Sequence, residues 1–190
     1  MKLTRLGIEG AWLAEADMHA DYRGTFREWF KLDEFKEVTG IEFIVKQANL
    51  SVSNLGVIRG IHYSLAINGQ AKLVTCATGH VIDVIVDIRP ESTTFKKVIK
   101  VDLKGGEAKA ILIGANLGHG FLALEDNSVL SYLLSSPYSP NDELEINPLD
   151  SELNIDWHLN MVGETGHIIS PKDAQAPSLA ERLVANQLPK

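Results

Sequence analysis

Cysteine is almost absent from this chain, and that scarcity bounds its chemistry before any motif is read. A single Cys76 rules out an intramolecular disulfide and points to a reducing compartment. It sits in the apolar-rich run Leu73-Val74-Thr75-Cys76-Ala77, which suits a buried packing thiol rather than a nucleophile. Long apolar runs are missing too. The most apolar stretch, Val81 to Ile88, is interrupted by Asp83 and Asp87 and is too short to span a bilayer. The opening MKLTRLGIEG lacks the apolar core of a signal peptide, so a soluble, cytoplasmic protein is expected. Neither GxGxxG nor GxxxxGK[ST] occurs, which argues against nucleotide hydrolysis and dinucleotide redox chemistry. No serine has a nucleophile-elbow context. A formal charge of −7 argues against nucleic acid or a membrane as partner, yet leaves room for a local basic pocket built from Arg23, Arg59 and Lys72.

What is present is an ordinary globular composition, 45% apolar and 23% charged over 190 residues, enough for one domain with a real core. No internal repeat or linker divides it. Ala11–Ala16 and Thr25–Phe30 read as short strands joined by the polar link MHADYRG. Lys31–Thr39 reads as a helix, with Leu32, Phe35 and Val38 on one face and Gly40 as its terminator. Strands then follow at about 41–53, 56–63, 71–77, 80–88, 95–103, 109–113, 119–124 and 128–135. Turn signals such as Asn68-Gly69, Thr78-Gly79 and Gly105-Gly106 separate them. The stretch 136–172 is loop-like, with four prolines, and a last helix is expected at about 178–186 behind Ser178 as N-cap. Many short strands with little helix between them predict a mainly β, antiparallel sandwich or barrel. Residues of about 1–40 would form N-terminal strands and a helix, 41–135 the barrel, and 136–190 the C-terminal loops and helix.

The chemistry concentrates between Gln47 and Lys72. Gln47, Asn49, Ser51 and Ser53 recur every second residue, so a strand points all four at one face, as a wet cavity requires. Arg59, His62, Gln70 and Lys72 follow. His62 is the leading base candidate, since imidazole titrates near neutrality, although a lone histidine is more often structural. Strict alternation puts Arg59 and His62 on opposite faces, so both serve one cavity only if the strand bends, and Gly60 is where it can. Lys72 either snorkels outward or is held inside for an anionic group. His119, flanked by Gly118 and Gly120, has two readings of the same kind. Tyr132 and Tyr138 are packing residues unless a pocket sets them beside a lysine or histidine, where a phenol becomes a proton donor. A metal-binding barrel would usually show a His-x-His pair; here Tyr63 and Ser64 follow His62, so no metal is expected.

With these residues laid out, the chain resembles the dTDP-4-dehydrorhamnose 3,5-epimerase family. The matches run in order over nearly the whole length: Asp21-x-Arg23-Gly24-x-Phe26, Gln47-x-Asn49-x-Ser51, Arg59-Gly60-Ile61-His62, Gln70-Ala71-Lys72, Asp83-Val84-x-Val86-Asp87-x-Arg89, His119-Gly120-Phe121, then Tyr132, Tyr138, Glu143 and Ser170-Pro171-Lys172-Asp173. The resemblance implies a cupin-type antiparallel β-barrel or jelly roll with a few short helices, working without a cofactor, and usually a homodimer. It implies His62 as general base oriented by Asp173, Tyr132 as general acid on the opposite sugar face, and Lys72 beside the enolate oxygen. Arg23, Arg59 and His119 would meet the diphosphate and sugar. Gln47, Asn49 and Glu28 would hold the nucleotide end near Phe26. Tyr138 would stack on the thymine, with Glu143 and Lys172 completing the contacts. The substrate implied is a dTDP-4-keto-6-deoxyhexose on the route to dTDP-L-rhamnose. Two departures stand out: Pro148-Leu149-Asp150-Ser151 where many members carry Trp-Asn-Asp-Pro, and Leu133 where many carry lysine. The competing readings are a single-carbon epimerase, a noncatalytic sugar-nucleotide-binding cupin and a metal-dependent cupin dioxygenase.

Overall fold

The computed structural model describes the backbone of residues 1–190 and every side chain except that of Leu159. The chain opens with β1 (Lys2–Arg5), β2 (Ala11–Glu15) and a hairpin of β3 (Met18–Asp21) and β4 (Gly24–Arg27), then α1 (Leu32–Thr39). Eight strands follow: β5 (Gln47–Ser53), β6 (Val57–Ser64), β7 (Lys72–Thr78), β8 (His80–Asp87), β9 (Val98–Lys104), β10 (Lys109–Ile113), β11 (Leu117–Ala123) and β12 (Ser128–Leu134). The C-terminal part carries β13 (Glu143–Glu145), β14 (Ile168–Ile169), α2 (Pro171–Ala174) and α3 (Leu179–Val184).

Two sheets make the barrel walls. The first runs β1-β2-β10-β7-β12-β5 and the second β13-β6-β11-β8-β9, with β14 added beside β6. Every pairing is antiparallel except that of β14 with β6. This is the mainly β, cupin-type jelly roll that the turn spacing and the resemblance led us to expect.

β8 shows how the layers are built. Ile82, Val84, Val86 and Ile88 face outward and are buried under Ile146, Leu153, Trp157 and Leu179 of the C-terminal segment. Val81 and Ile85 face inward against Val74, Ile111, Phe121 and Leu130 of the opposing walls. A strand covered on both faces has apolar residues at successive positions, which is the run that the sequence displays. On the outer side of the first sheet Phe35 and Phe43 pack on Trp12, Leu73 and Leu112. Cys76 lies in the inner core at 1% exposure, and burial pushes its thiol pKa up to about 11, as suits a packing residue.

Several expectations need correction. The link MHADYRG is itself a strand and a tight turn, because the Asp21 carboxylate accepts the Arg23 backbone N–H at 2.8 Å and closes the β3–β4 hairpin. Only residues 47–53 of the expected strand 41–53 are extended in a ladder; 41–46 approach as a loop that seats Phe43. In α1 only Phe35 is buried, while Leu32 and Val38 are exposed. Residues three apart precess by about 60° per step, so the helix touches the core at one point rather than along a stripe. Gly40 does terminate it, at φ 72 with its N–H bonded to Lys36 O. The loop-like stretch 136–172 is a cover for the second sheet, held by backbone and side-chain bonds.

Two buried carboxylates tie the loops. Asp150, in the Pro148-Leu149-Asp150-Ser151 turn, accepts from Glu152 N at 2.8 Å, Leu153 N at 2.9 Å and Leu179 N at 2.8 Å, clasping the loop to the start of α3. Asp87 accepts from Arg89 Nε and Nη2 at 2.9 Å and from the Ser92 and Thr94 hydroxyls at 2.6 Å. Burial alone would raise the Asp87 pKa, but these donors outweigh it and hold it at about 2, against an ordinary 3.8. A depressed carboxylate stabilises the fold above the unfolded pKa and loses that contribution as pH falls through the folded one. Asp87→Asn should therefore cost about 2 kcal/mol at pH 7, a deficit that shrinks between about pH 4 and pH 2. Urea unfolding of both proteins across that range checks it; a deficit independent of pH would contradict the assignment.

Candidate active site

Where β6 crosses β11, the pairing slips: His62 lies opposite His119, yet Arg59 lies opposite Phe121, three residues on one strand against two on the other. The extra residue is the bulge at Gly60, whose φ is 126. A Cβ there would stand 2.6 Å from Gly120 Cα and 2.8 Å from His119 O. This bend cancels the alternation that would have set Arg59 and His62 on opposite faces. Both now line one cavity of about 610 Å³ between the two sheets.

His62, His119 and Arg59 come from the second sheet; Gln47, Asn49, Ser51, Lys72 and Tyr132 come from the first and face them across the cavity. Gln70, Tyr138, Glu143 and Lys172 complete the lining with Phe121, Leu144 and Glu145. His62 Nε2 meets Asp173 Oδ1 at 2.8 Å. Asp173 reaches it because Ser170 caps α2 through the Asp173 N–H at 3.1 Å and Pro171 fills the first turn. Burial pushes the Asp173 carboxyl up, but the His62 bond and charge, with the Gly60 N–H and Ser170 hydroxyl, bring it below its usual value. It stays an anion beside the imidazole.

Lys72 is held inside, not snorkelling: it is 7% exposed and its Nζ donates to His62 O at 3.3 Å. Burial lowers its pKa, against the pull of Glu143 and Asp83. Burial raises the Glu143 carboxyl in turn, opposed chiefly by Lys72. Glu143 also accepts from Gln70 Nε2 at 3.1 Å. His119 Nε2 pairs with the fully buried Asp83 at 2.8 Å, and its ring meets Tyr132 edge-on at 6.0 Å between centroids. Tyr132 is pushed upward by burial, more than the bond to Ser51 pulls it back. At the mouth, Gln47 bonds Asn49 Oδ1 and accepts the Tyr138 N–H, each at 2.8 Å. Arg59 spans to Ser53 Oγ and Val52 O at 3.2 Å, while Lys172 rests on Glu145 at 3.1 Å.

Proteins of known kind resemble this chain in sequence and fold. A family model described as dTDP-4-dehydrorhamnose 3,5-epimerase matches residues 5–181. A dTDP-4-dehydrorhamnose 3,5-epimerase of Mycolicibacterium smegmatis is 45% identical over 189 residues, covering 100% of this chain and 91% of that protein. The chain belongs to the dTDP-4-dehydrorhamnose 3,5-epimerase family. It is an isomerase, an epimerase of dTDP-sugars. The solved rmlC epimerase of Mycobacterium tuberculosis superposes at a TM-score of 0.96 with 40% identity, covering 100% of this chain and 94% of that one. A 3'-monoepimerase of Streptomyces bikiniensis, solved in complex with dTDP-quinovose, superposes at 0.91 with 40% identity, covering 97% and 91%.

Three residues expected at the epimerase site are not brought to it within the chain. Arg23 and Phe26 sit on the exposed β3–β4 hairpin, where Arg23 pairs with Asp21, and Glu28 just beyond pairs with Lys31 at 2.7 Å. The sequence reading missed Glu145, Leu144 and Phe121 as lining residues. Phe121 stood in the quoted His119-Gly120-Phe121 motif, whereas Glu145 lay in a stretch read as loop, with no periodicity to expose it. Of the two departures, Asp150 is accounted for as the loop clasp; Leu133 packs on the outer core beside Leu73 and Leu112, away from the cavity.

Gly60→Ala tests the crossing. It adds a left-handed penalty and a backbone clash, so it should cost about 2–5 kcal/mol. Gly106→Ala also falls at a positive φ, 85, but has open space around the new methyl, and should cost only about 1–2 kcal/mol. Equal costs in urea unfolding would show that the close approach carries no weight.

Proposed function

We propose that this chain inverts both carbon 3 and carbon 5 of dTDP-4-dehydro-6-deoxyglucose to give dTDP-4-dehydrorhamnose, a cytoplasmic step in dTDP-L-rhamnose biosynthesis. The observation that carries the reading is the placement of a carboxylate-backed imidazole and a half-buried phenol on facing walls of one cavity, with the buried Lys72 beside them. A ketone at carbon 4 acidifies the hydrogens on both neighbouring carbons. His62 removes one, Asp173 stabilises the imidazolium, and the electron pair moves to the carbonyl oxygen as an enolate. Lys72, itself buried, meets that charge with a donor already in place. Tyr132 returns a proton to the other face, which is what inversion needs. No cofactor enters.

Arg59 and His119 would receive the diphosphate and sugar, Gln47 and Asn49 the nucleotide, Tyr138 the thymine ring, with Glu143 and Lys172 at the remaining edges. Single-carbon epimerisation is the second reading, favoured by the 40% identity to a 3'-monoepimerase. Exchange of solvent deuterium into the substrate, read by NMR, separates the two: label at carbons 3 and 5 with the rhamno product supports the first, label at carbon 3 alone the second. His62→Ala should abolish exchange at both positions, and Lys72→Met should lower kcat by about a hundredfold or more. Exchange that survives His62→Ala would overturn the mechanism.

The exposed hairpin suits a homodimer. Tyr22 and Phe26 on it are 96% and 65% exposed, and the first sheet ends at β5, an edge that carries the exposed Leu50 and Val52. Reaching across a two-fold axis, the arm would deliver Arg23, Phe26 and Glu28 to the partner's cavity. Sedimentation should give a dimer at micromolar protein; a monomer at that concentration would end this part of the reading.

A further inference from the structure

Giving up its proton leaves Tyr132 as a phenolate at the half-buried wall of the cavity, and an anion withdrawn from water needs a donor. Among the described residues its Oη has one hydrogen-bond partner, Ser51 Oγ at 3.2 Å. The neighbouring cationic and imidazole groups make their hydrogen bonds elsewhere, although the Arg59 charge also favours the phenolate from a distance. His119 Nε2 is held by Asp83, and Arg59 by Ser53 and Val52. The register explains the pairing: Tyr132 lies opposite Asn49 and Leu130 opposite Ser51, so Ser51 and Tyr132 are diagonal neighbours on the cavity face.

Resting on the epimerase mechanism above, we propose that Ser51 is the positioning residue for Tyr132, aiming the phenol hydrogen into the cavity and donating to the phenolate as it forms. A hydroxyl both donates and accepts, so with neutral phenol either sense of the bond is available. Once the proton has left, the phenolate can only accept, and Ser51 must donate. The bond becomes charge-assisted in the step itself and so stabilises the transition state more than the ground state. The balance is simple. The Tyr132 O–H bond breaks, the enolate's electron pair takes the proton to make the new C–H bond, and the O–H pair stays on the phenolate oxygen. Ser51 keeps its own proton, and His62 holds the one removed from the substrate until solvent resets both groups.

Ser51→Ala and Ser51→Thr test this with two readouts. For Ser51→Ala, kcat for inversion should fall about ten- to a hundredfold with KM within about twofold. Deuterium exchange with retention, which uses His62 alone, should stay near the wild-type rate, and Ser51→Thr should recover most of the inversion. Independently of turnover, a fluorinated tyrosine placed at position 132 brings its ionisation into a measurable range. Its pKa should rise by about one unit in the Ser51→Ala background. An unchanged fluorotyrosine titration, or exchange and inversion falling together, would overturn the role of Ser51. Absence of any exchange by wild-type protein on a dTDP-4-keto sugar would instead defeat the epimerase mechanism, and the titration would still decide whether Ser51 governs the phenol.

Discussion

At the crossing of β6 and β11 two backbones touch with no side chain between them, and the cavity depends on that contact. Gly60 and Gly120 each face backbone atoms within 3 Å of where a Cβ would stand. Removing both side chains lets β6 bulge, and the bulge turns Arg59 and His62 toward the same interior. Without it the arginine and the histidine would serve opposite faces of the sheet. The cost of two glycines in a strand is offset by the apolar cover that the C-terminal segment lays over the same sheet.

Charge inside the barrel is arranged in the same local way. Buried polar groups persist when they are partnered, and the cavity walls show it: His62 with Asp173, His119 with Asp83, and Lys72 in the field of Glu143. The hydrogen bonds orient the rings, and Lys72 is held inside a protein of net charge −7 by its bond to His62 O and the carboxylates nearby. The two sheets then divide the labour, one presenting imidazoles, the other amides, hydroxyls and the phenol. A ligand lodged between them faces imidazoles on one side and a phenol on the other, the placement that the proposed mechanism needs.

Much of this was legible beforehand. The run at 80–88 announced a strand, and period-two alternation along it sets Asp83 and Asp87 apart from Ile82, Val84, Val86 and Ile88 whatever the packing. The polar series announced a cavity wall for the same reason in Gln47, Asn49 and Ser51, while Ser53 is buried and accepts from Arg59 instead. Less legible was anything held by side-chain bonds to distant backbone. The turn at Asp150 and the cover over residues 136–172 depend on partners such as Leu179, which no local pattern connects to them. Likewise α2 is a four-residue helix whose cap, Ser170, is visible, but whose purpose, the delivery of Asp173 to His62, is not.

The sequence by itself determined most of the barrel strands, the shared faces within β5 and β8 and the candidate residues for the chemistry, because these follow from periodicity and side-chain type over short stretches. Only the tertiary structure decided that Lys72 points inward, that Gly60 reverses the face of Arg59 and that Ser51 meets Tyr132. Those outcomes rest on how separate strands approach and register, and on distances between residues as far apart as 111 positions in the chain. It also set Arg23, Phe26 and Glu28 apart from the cavity, since the hairpin that bears them closes on itself through Asp21 and does not fold back onto its own barrel.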